Sequence, residues 1–114
     1  MAGRMVLFLT RADAVSLRMA GSCALAAASM NDRVDVFAFG PAVAALVEGH
    51  GDPDHPAALL QQARGAGACR LLGCSAGLVE AKIEPSRAEA ALDAVIGWPT
   101  VLEWSRGVVD RFFF

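Results

Sequence analysis

Residues 4–10 read Arg-Met-Val-Leu-Phe-Leu-Thr, an apolar run with no alternation of polar and apolar side chains. A strand with one wet face alternates, so an unbroken run predicts a strand covered on both faces, as in a parallel sheet packed between helices. Further strand-like runs follow. Residues 34–39 form a second run closed by Gly40-Pro41, residues 69–73 a third ending at Gly73, residues 94–96 a short fourth before Gly97-Trp98-Pro99, and residues 108–114 a fifth. Parallel strands need long crossovers, and helical segments lie between these runs, which predicts an open, mainly parallel α/β sheet of five strands.

The crossovers carry helix chemistry. Thr10 and Asp13 offer helix-start side chains, and residues 12–30 are Ala-rich, with Val15, Met19, Cys23 and Ala26 or Ala27 recurring at helical spacing until Asn31 and Asp32 stop the pattern. Cys23 is expected on the packed face, and Gly21 is expected to mark a close helix–sheet approach. Pro41 suits the first turn of a helix over 42–47, residues 49–56 are a loop dense in turn formers, and Pro56 opens a short helix through 62. Further helices are expected over 75–81, over 86–92 after a linker with Pro85, and over 101–106.

At 114 residues the chain is read as one domain, 1–114. Its 55% hydrophobic and 19% charged composition fits a doubly covered sheet, self-association, or both. Phe112 and Phe114 alternate with Phe113, so both sides of the last strand need cover that an oligomer would supply. Net charge is −2 and the ten basic residues are scattered, which argues against nucleic acid or an anionic membrane as partner. Arg11, Asp13 and Arg18 interrupt the first thirty residues, and no uncharged segment approaches the roughly 18–20 residues of a span. No membrane span is expected. The same charges break a signal-peptide core, and three cysteines without disulfide spacing fit free thiols in a reducing compartment, so a cytoplasmic location is expected.

In open α/β sheets ligands bind outside the carboxyl ends of the strands. Those ends carry Thr10-Arg11, Gly40-Pro41, Gly73-Cys74 and Gly97-Trp98, and Cys74 is the chemically capable residue among them. A strand ending at Gly73 and a helix starting near Ser75 would aim free backbone N–H groups, those of Ala76 and Gly77, at the sulfur and favour the thiolate. Gly73 permits close backbone approach, and Ser75 can cap the helix. Arg11 would add positive potential; its plain alternative is a solvated loop arginine. Trp98 and Trp104 either line a pocket or pack helix on sheet. Against all this stands the ordinary role of a free cysteine as a small buried hydrophobe, the reading adopted for Cys23 and Cys69.

Rival chemistries are weaker. His50, Asp52, Asp54 and His55 are metal-ligand types in one loop, but such residues are common in turns, the flanking prolines restrict the geometry, and no metal is assigned. Cys69 is five residues from Cys74 on the same strand, which disfavours an intrachain bridge. Both histidines share one loop, so a Cys-His-Asp hydrolase has no assignable base. Gly65-Ala66-Gly67 precedes a strand rather than joining strand to helix, so it is no nucleotide cradle, and no cofactor is implied.

Taken together, the first strand, the Ala-rich helix, the 34–40 strand, Gly67-Ala68-Cys69-Arg70-Leu71-Leu72-Gly73-Cys74-Ser75 and residues 93–98 with the following helix and hydrophobic strand resemble the DsrE/DsrF/DsrH family, related to the sulfur-relay subunit TusD and to YchN-like proteins. The resemblance runs over nearly the whole chain and rests on order and spacing more than on any one motif; residues 49–56, short and proline-rich, depart from the relay proteins. It implies a three-layer α/β/α sandwich, assembly as a homo-oligomer (trimer or hexamer), and a persulfide on the family cysteine that matches Cys74, loaded by a sulfur donor and discharged to an acceptor protein. The alternative is a non-catalytic binding or assembly module of the same fold, with Cys74 incidental and a small-ligand or partner site at the rim.

Overall fold

A computed structural model describes residues 3–30, 32–108 and 110–114; the expected helix stop at Asn31 and the strand position of Val109 lie outside the described residues. In chain order the elements are β1 (Arg4–Leu9), α1 (Ala14–Ser29), β2 (Arg33–Ala38), α2 (Pro41–Gly49), α3 (Ala58–Gly65), β3 (Cys69–Cys74), α4 (Ser75–Glu80), α5 (Pro85–Ala91), β4 (Ala94–Ile96), α6 (Trp98–Trp104) and β5 (Asp110–Phe113). All neighbouring strands pair in parallel, in the order β4-β3-β2-β1-β5. The fold is an α/β sandwich on a five-stranded parallel sheet. Every carboxyl strand end therefore lies on one rim.

The two faces are covered unequally. On one, Leu7, Leu9, Val34, Val36, Cys69 and Leu71 pack under Leu17, Ala20 and Ala24 of α1, Val43 and Leu46 of α2, Leu60 of α3, and Ala88 and Ala91 of α5. On the other, Val6, Phe37, Leu72 and Ile96 meet Val101 of α6 and Val108. Among the described residues, α6 is the single helix of that second layer. Polar ties hold it there: Arg4 donates to the Trp104 carbonyl at 2.8 Å, and Arg70 lies 5.1 Å from the centre of the Trp104 ring. Arg70 is itself fixed by the buried Asp35, which accepts from Nε at 2.7 Å and from a terminal guanidinium nitrogen at 3.0 Å.

Several element bounds differ from expectation for identifiable reasons. Pro85 and Pro99 lie in the first turns of α5 and α6, so these helices begin earlier than 86 and 101; proline there has a fitting φ and loses no helical hydrogen bond. Asp13, not Thr10, caps α1: its carboxylate accepts from the Ser16 N–H at 3.0 Å and the Ser16 hydroxyl at 2.8 Å, which holds the carboxyl below its ordinary range. Thr10 instead donates to the Phe114 carbonyl. The packed face of α1 is Leu17, Ala20, Gly21, Ala24 and Ala27, while Val15 and Met19 are exposed and Cys23 is half-buried. Both sets have helical spacing, so periodicity could not choose between them, and the small residues allow the closer approach. Gly21 meets a helix rather than the sheet, because a Cβ there would lie 3.0 Å from Leu59 of α3.

Candidate functional site at the carboxyl rim

The rim is built where β3 runs directly into α4. β3 extends one residue past Gly73, so Cys74 is both the last strand residue, paired with Ile96 of β4, and the N-cap of α4 with extended backbone (φ −69°, ψ 128°). This corrects the role expected for Ser75, which is the first helical residue and makes no capping hydrogen bond. Cys74 is only 8% exposed and packs into the helix-rich core. Cys74 thus stands at a helix start on the rim, as the element order predicts, and is almost fully buried there.

Three glycines bring this junction together for different reasons. A Cβ on Gly73 would lie 2.7 Å from Leu92 Cδ1, and one on Gly77 would lie 2.7 Å from Val43 Cγ2 and 3.4 Å from the Gly40 carbonyl oxygen. Gly73 and Gly77 are thus close-approach positions that let α5 and α2 crowd the start of α4. Gly40 has open space around it but a φ of +55°, a conformation that favours glycine, and it turns β2 into α2. Gly97 completes the rim beside Ser75: a Cβ there would be 4.0 Å from Ser75 Oγ.

Trp98 opens α6 and stacks on Phe39, with ring centroids 4.6 Å apart and planes 13° from parallel. It is 55% exposed, so it is a rim surface rather than a buried wedge. Ala76 is exposed at the first turn of α4. Arg11 is not brought to the thiol: β2 separates β1 from β3 by about 10 Å in total, and among the described residues Arg11 makes no hydrogen bond or ion pair. Its exposed side chain fits the solvated-loop reading, adding a favourable charge near Asp13.

Beside the junction lies an apolar groove of about 420 Å³ between α4, α5 and the free edge of β4, lined by Ser75, Leu78, Val79, Ile83, Ala88 and Val95, with Lys82 and Glu89 at its margin. Val79 is 78% and Val95 44% exposed. Sequence reasoning missed this groove, because its apolar residues come from short segments with no readable period. A larger open hollow of about 600 Å³ lies at the opposite end of the sheet, beside residues 49–53, Gln61, Arg64 and Asp93. Its main polar groups are already engaged: Gln61 donates to the Leu46 and Ala91 carbonyls, and Arg64 pairs with Asp93 at 3.2 Å.

The His50–His55 loop is occupied with its own geometry. Asp52 accepts from the Asp54 N–H, and His55 Nδ1 from the Ala57 N–H, both at 3.0 Å. Among the described residues no three His, Cys, Asp or Glu side chains are grouped to hold a metal ion. The thiols also differ. Burial first, then the nearby negative charges of Asp93 and Asp35, push Cys69 up to about 12, and burial alone raises Cys23.

No protein-family model matches the chain. No curated protein sequence matches it significantly. Solved structures do. A protein of unknown function, MTH1491 from Methanobacterium thermoautotrophicum, superposes with a TM-score of 0.72 over 96% of this chain and 98% of its own at 18% identity. The ychN protein from E. coli superposes with a TM-score of 0.67 over 98% and 99% of the two chains at 15% identity. The fold is thus shared end to end with a YchN-like architecture. No helix among the described residues is long and apolar enough to cross a membrane.

Proposed function

We propose that this chain handles sulfane sulfur, or a related thiol exchange, through Cys74, with a sulfur donor and an acceptor protein as its partners. The observation that carries the reading is the position of Cys74 as the N-cap of α4 on the carboxyl rim of a parallel sheet. The YchN-like fold and the family cysteine that Cys74 matches by order and spacing support it. In the transfer, the Cys74 thiolate attacks the outer sulfur of a donor persulfide, the donor's inner sulfur leaves as a thiolate, and Cys74 becomes the persulfide; the acceptor thiolate repeats the attack in turn. With only 8% of the residue exposed, a donor has to present its sulfur on a small molecule or a projecting segment rather than on a flat surface. Reaction happens within the chain only if the thiol is reached.

A second reading is favoured by that same burial together with the apolar groove: a binding module whose ligand or partner segment sits between α4 and α5, with Cys74 as packing. One experiment separates the two. Purified protein is incubated with a persulfide donor, and sulfur loading is read by intact mass for wild type, Cys74→Ser and Cys69→Ser. Reversible gain of one sulfur mass that vanishes only in Cys74→Ser is the expected result. No loading, or loading that survives Cys74→Ser, rejects the carrier reading and leaves the binding module.

A further inference from the structure

The groove between α4, α5 and the edge of β4 has an apolar floor and a charged margin, and both follow from how α4 ends. The Lys82 N–H donates to the Val79 carbonyl and the Ile83 N–H to the Leu78 carbonyl, both at 3.1 Å. This pair of bonds reverses the chain and brings Ile83 back to Leu78, and these two form the floor with the buried Ala88 of α5. Lys82 has a φ of +55° and is the single non-glycine residue with positive φ among the described residues. Glycine is the usual residue at this point of such a turn, because in the left-handed region a Cβ crowds the following carbonyl. A lysine there carries a conformational cost, and what it adds is a cationic side chain rooted at the groove's margin.

Residues 75–91 carry five charged side chains, those of Glu80, Lys82, Glu84, Arg87 and Glu89, and of these Lys82 and Glu89 alone line the groove. Both are exposed, and among the described residues neither joins an ion pair, with the other or elsewhere. We propose that the groove binds a small zwitterion with an apolar body, a free apolar amino acid. Its carboxylate faces Lys82, its ammonium faces Glu89, and its side chain lies on the Leu78–Ile83 floor. The inference rests on the binding-module reading given above and names the ligand that such a module takes.

A volume of about 420 Å³ lies within the roughly 300–1,000 Å³ of small-ligand sites. Charge then chooses among ligands of that size. An apolar acid would bring its carboxylate near Glu89 with nothing to offset it, and an apolar amine would bring its cation near Lys82. An uncharged ligand would leave both margin charges without a partner. The zwitterion complements both, so the apolar floor supplies burial and the two charges supply orientation and selectivity. Cys74 does not line the groove, and the inference assigns it no part in binding.

Nitrogen–proton correlation spectra test it, with wild type titrated to the limit of each probe's solubility. The probes are L-leucine, isocaproate, which lacks the amine, and isoamylamine, which lacks the carboxylate. Leucine is expected to give saturable shifts confined to amides of α4, α5 and β4 around the groove, and each analogue to bind at least about fivefold more weakly. Lys82→Gly and Glu89→Gln are each expected to weaken leucine about fivefold. Lys82→Gly is not expected to weaken isoamylamine, nor Glu89→Gln isocaproate, because each of these probes lacks the group whose partner was removed. Glycine suits the positive φ at 82, so that variant keeps the turn, and a thermal melt confirms the fold of both. Analogues as tight as leucine, or charge variants that bind leucine as wild type does, overturn the zwitterion and leave the groove a binding site. No groove shift with any of the three probes overturns the groove as a small-ligand site, and the zwitterion with it.

Discussion

Cys69 and Cys74 open and close the same strand, six residues long, and the two ends of that strand are different solvents for a thiol. At the amino end, Cys69 lies near Asp93 and Asp35, carboxylates engaged by Arg64 and Arg70, and burial with that negative charge holds its proton up to about 12. At the carboxyl end, Cys74 heads a helix, flanked by glycines and packed in the same core as Leu92 and Val43. The lesson is one of direction. A parallel sheet gathers helix starts on one rim and helix ends on the other, so two cysteines of similar burial sit among different neighbours.

The strongest way to break this contrast is to label both thiols. With Cys69 near 12, roughly one part in ten thousand of it is thiolate at pH 8, so alkylation of native protein at pH 8 is expected to leave Cys69 unmodified for as long as the fold persists. Peptide mapping checks this; Cys69 reacting as fast in the native protein as in denaturant removes the contrast.

Next in size is the amino-end ion network. Asp35→Ala strips Arg70 of its two hydrogen bonds and Arg4 of its 3.6 Å ion pair, and unties α6 from the sheet. Because both arginines reach water, the expected loss is about 1–3 kcal/mol rather than the larger cost of a fully buried pair. Urea unfolding measures it, and an unchanged midpoint would show that the network contributes nothing.

At the carboxyl end the matching test is steric. Gly73→Ala forces a methyl to 2.7 Å from Leu92 and is expected to cost about 1–3 kcal/mol by overpacking. Shortening the neighbour should relieve it, so Gly73→Ala with Leu92→Val is expected to lose less than the sum of the two single variants. Strict additivity would mean that the clash is absorbed elsewhere.

A further effect is confined to alkaline pH. Cys69 keeps its proton in the folded chain above the ordinary thiol value of 9.0, while the unfolded chain releases it. Its contribution is therefore fully present below about pH 9 and lost as pH rises from there toward 12. Cys69→Ala should flatten that part of the stability profile; an identical slope in the variant would place the titration elsewhere.

What the sequence alone determined is considerable. The unbroken apolar run within residues 4–10 and the mainly apolar runs at 34–39 and 69–73 specify strands covered on both faces, and the glycines and prolines after them specify where each strand turns into a helix. Asp35 shows the limit of that signal: it sits inside such a run and is buried, tolerated because Arg70 reaches it from the next strand. The site was legible only as a place. That Cys74 lies on the rim followed from element order, a one-dimensional property. Its 8% exposure, the exclusion of Arg11 and the groove between α4 and α5 followed from which residues of separate segments touch. The packed face of α1 was decided the same way: Leu17 and Met19 are equally apolar candidates in one dimension, and only the approach of β1, β2 and α3 determined which of them is covered. Local pattern sets backbone conformation because it acts within a few residues, whereas burial is a property of the assembled surface and is settled by partners far apart in the chain.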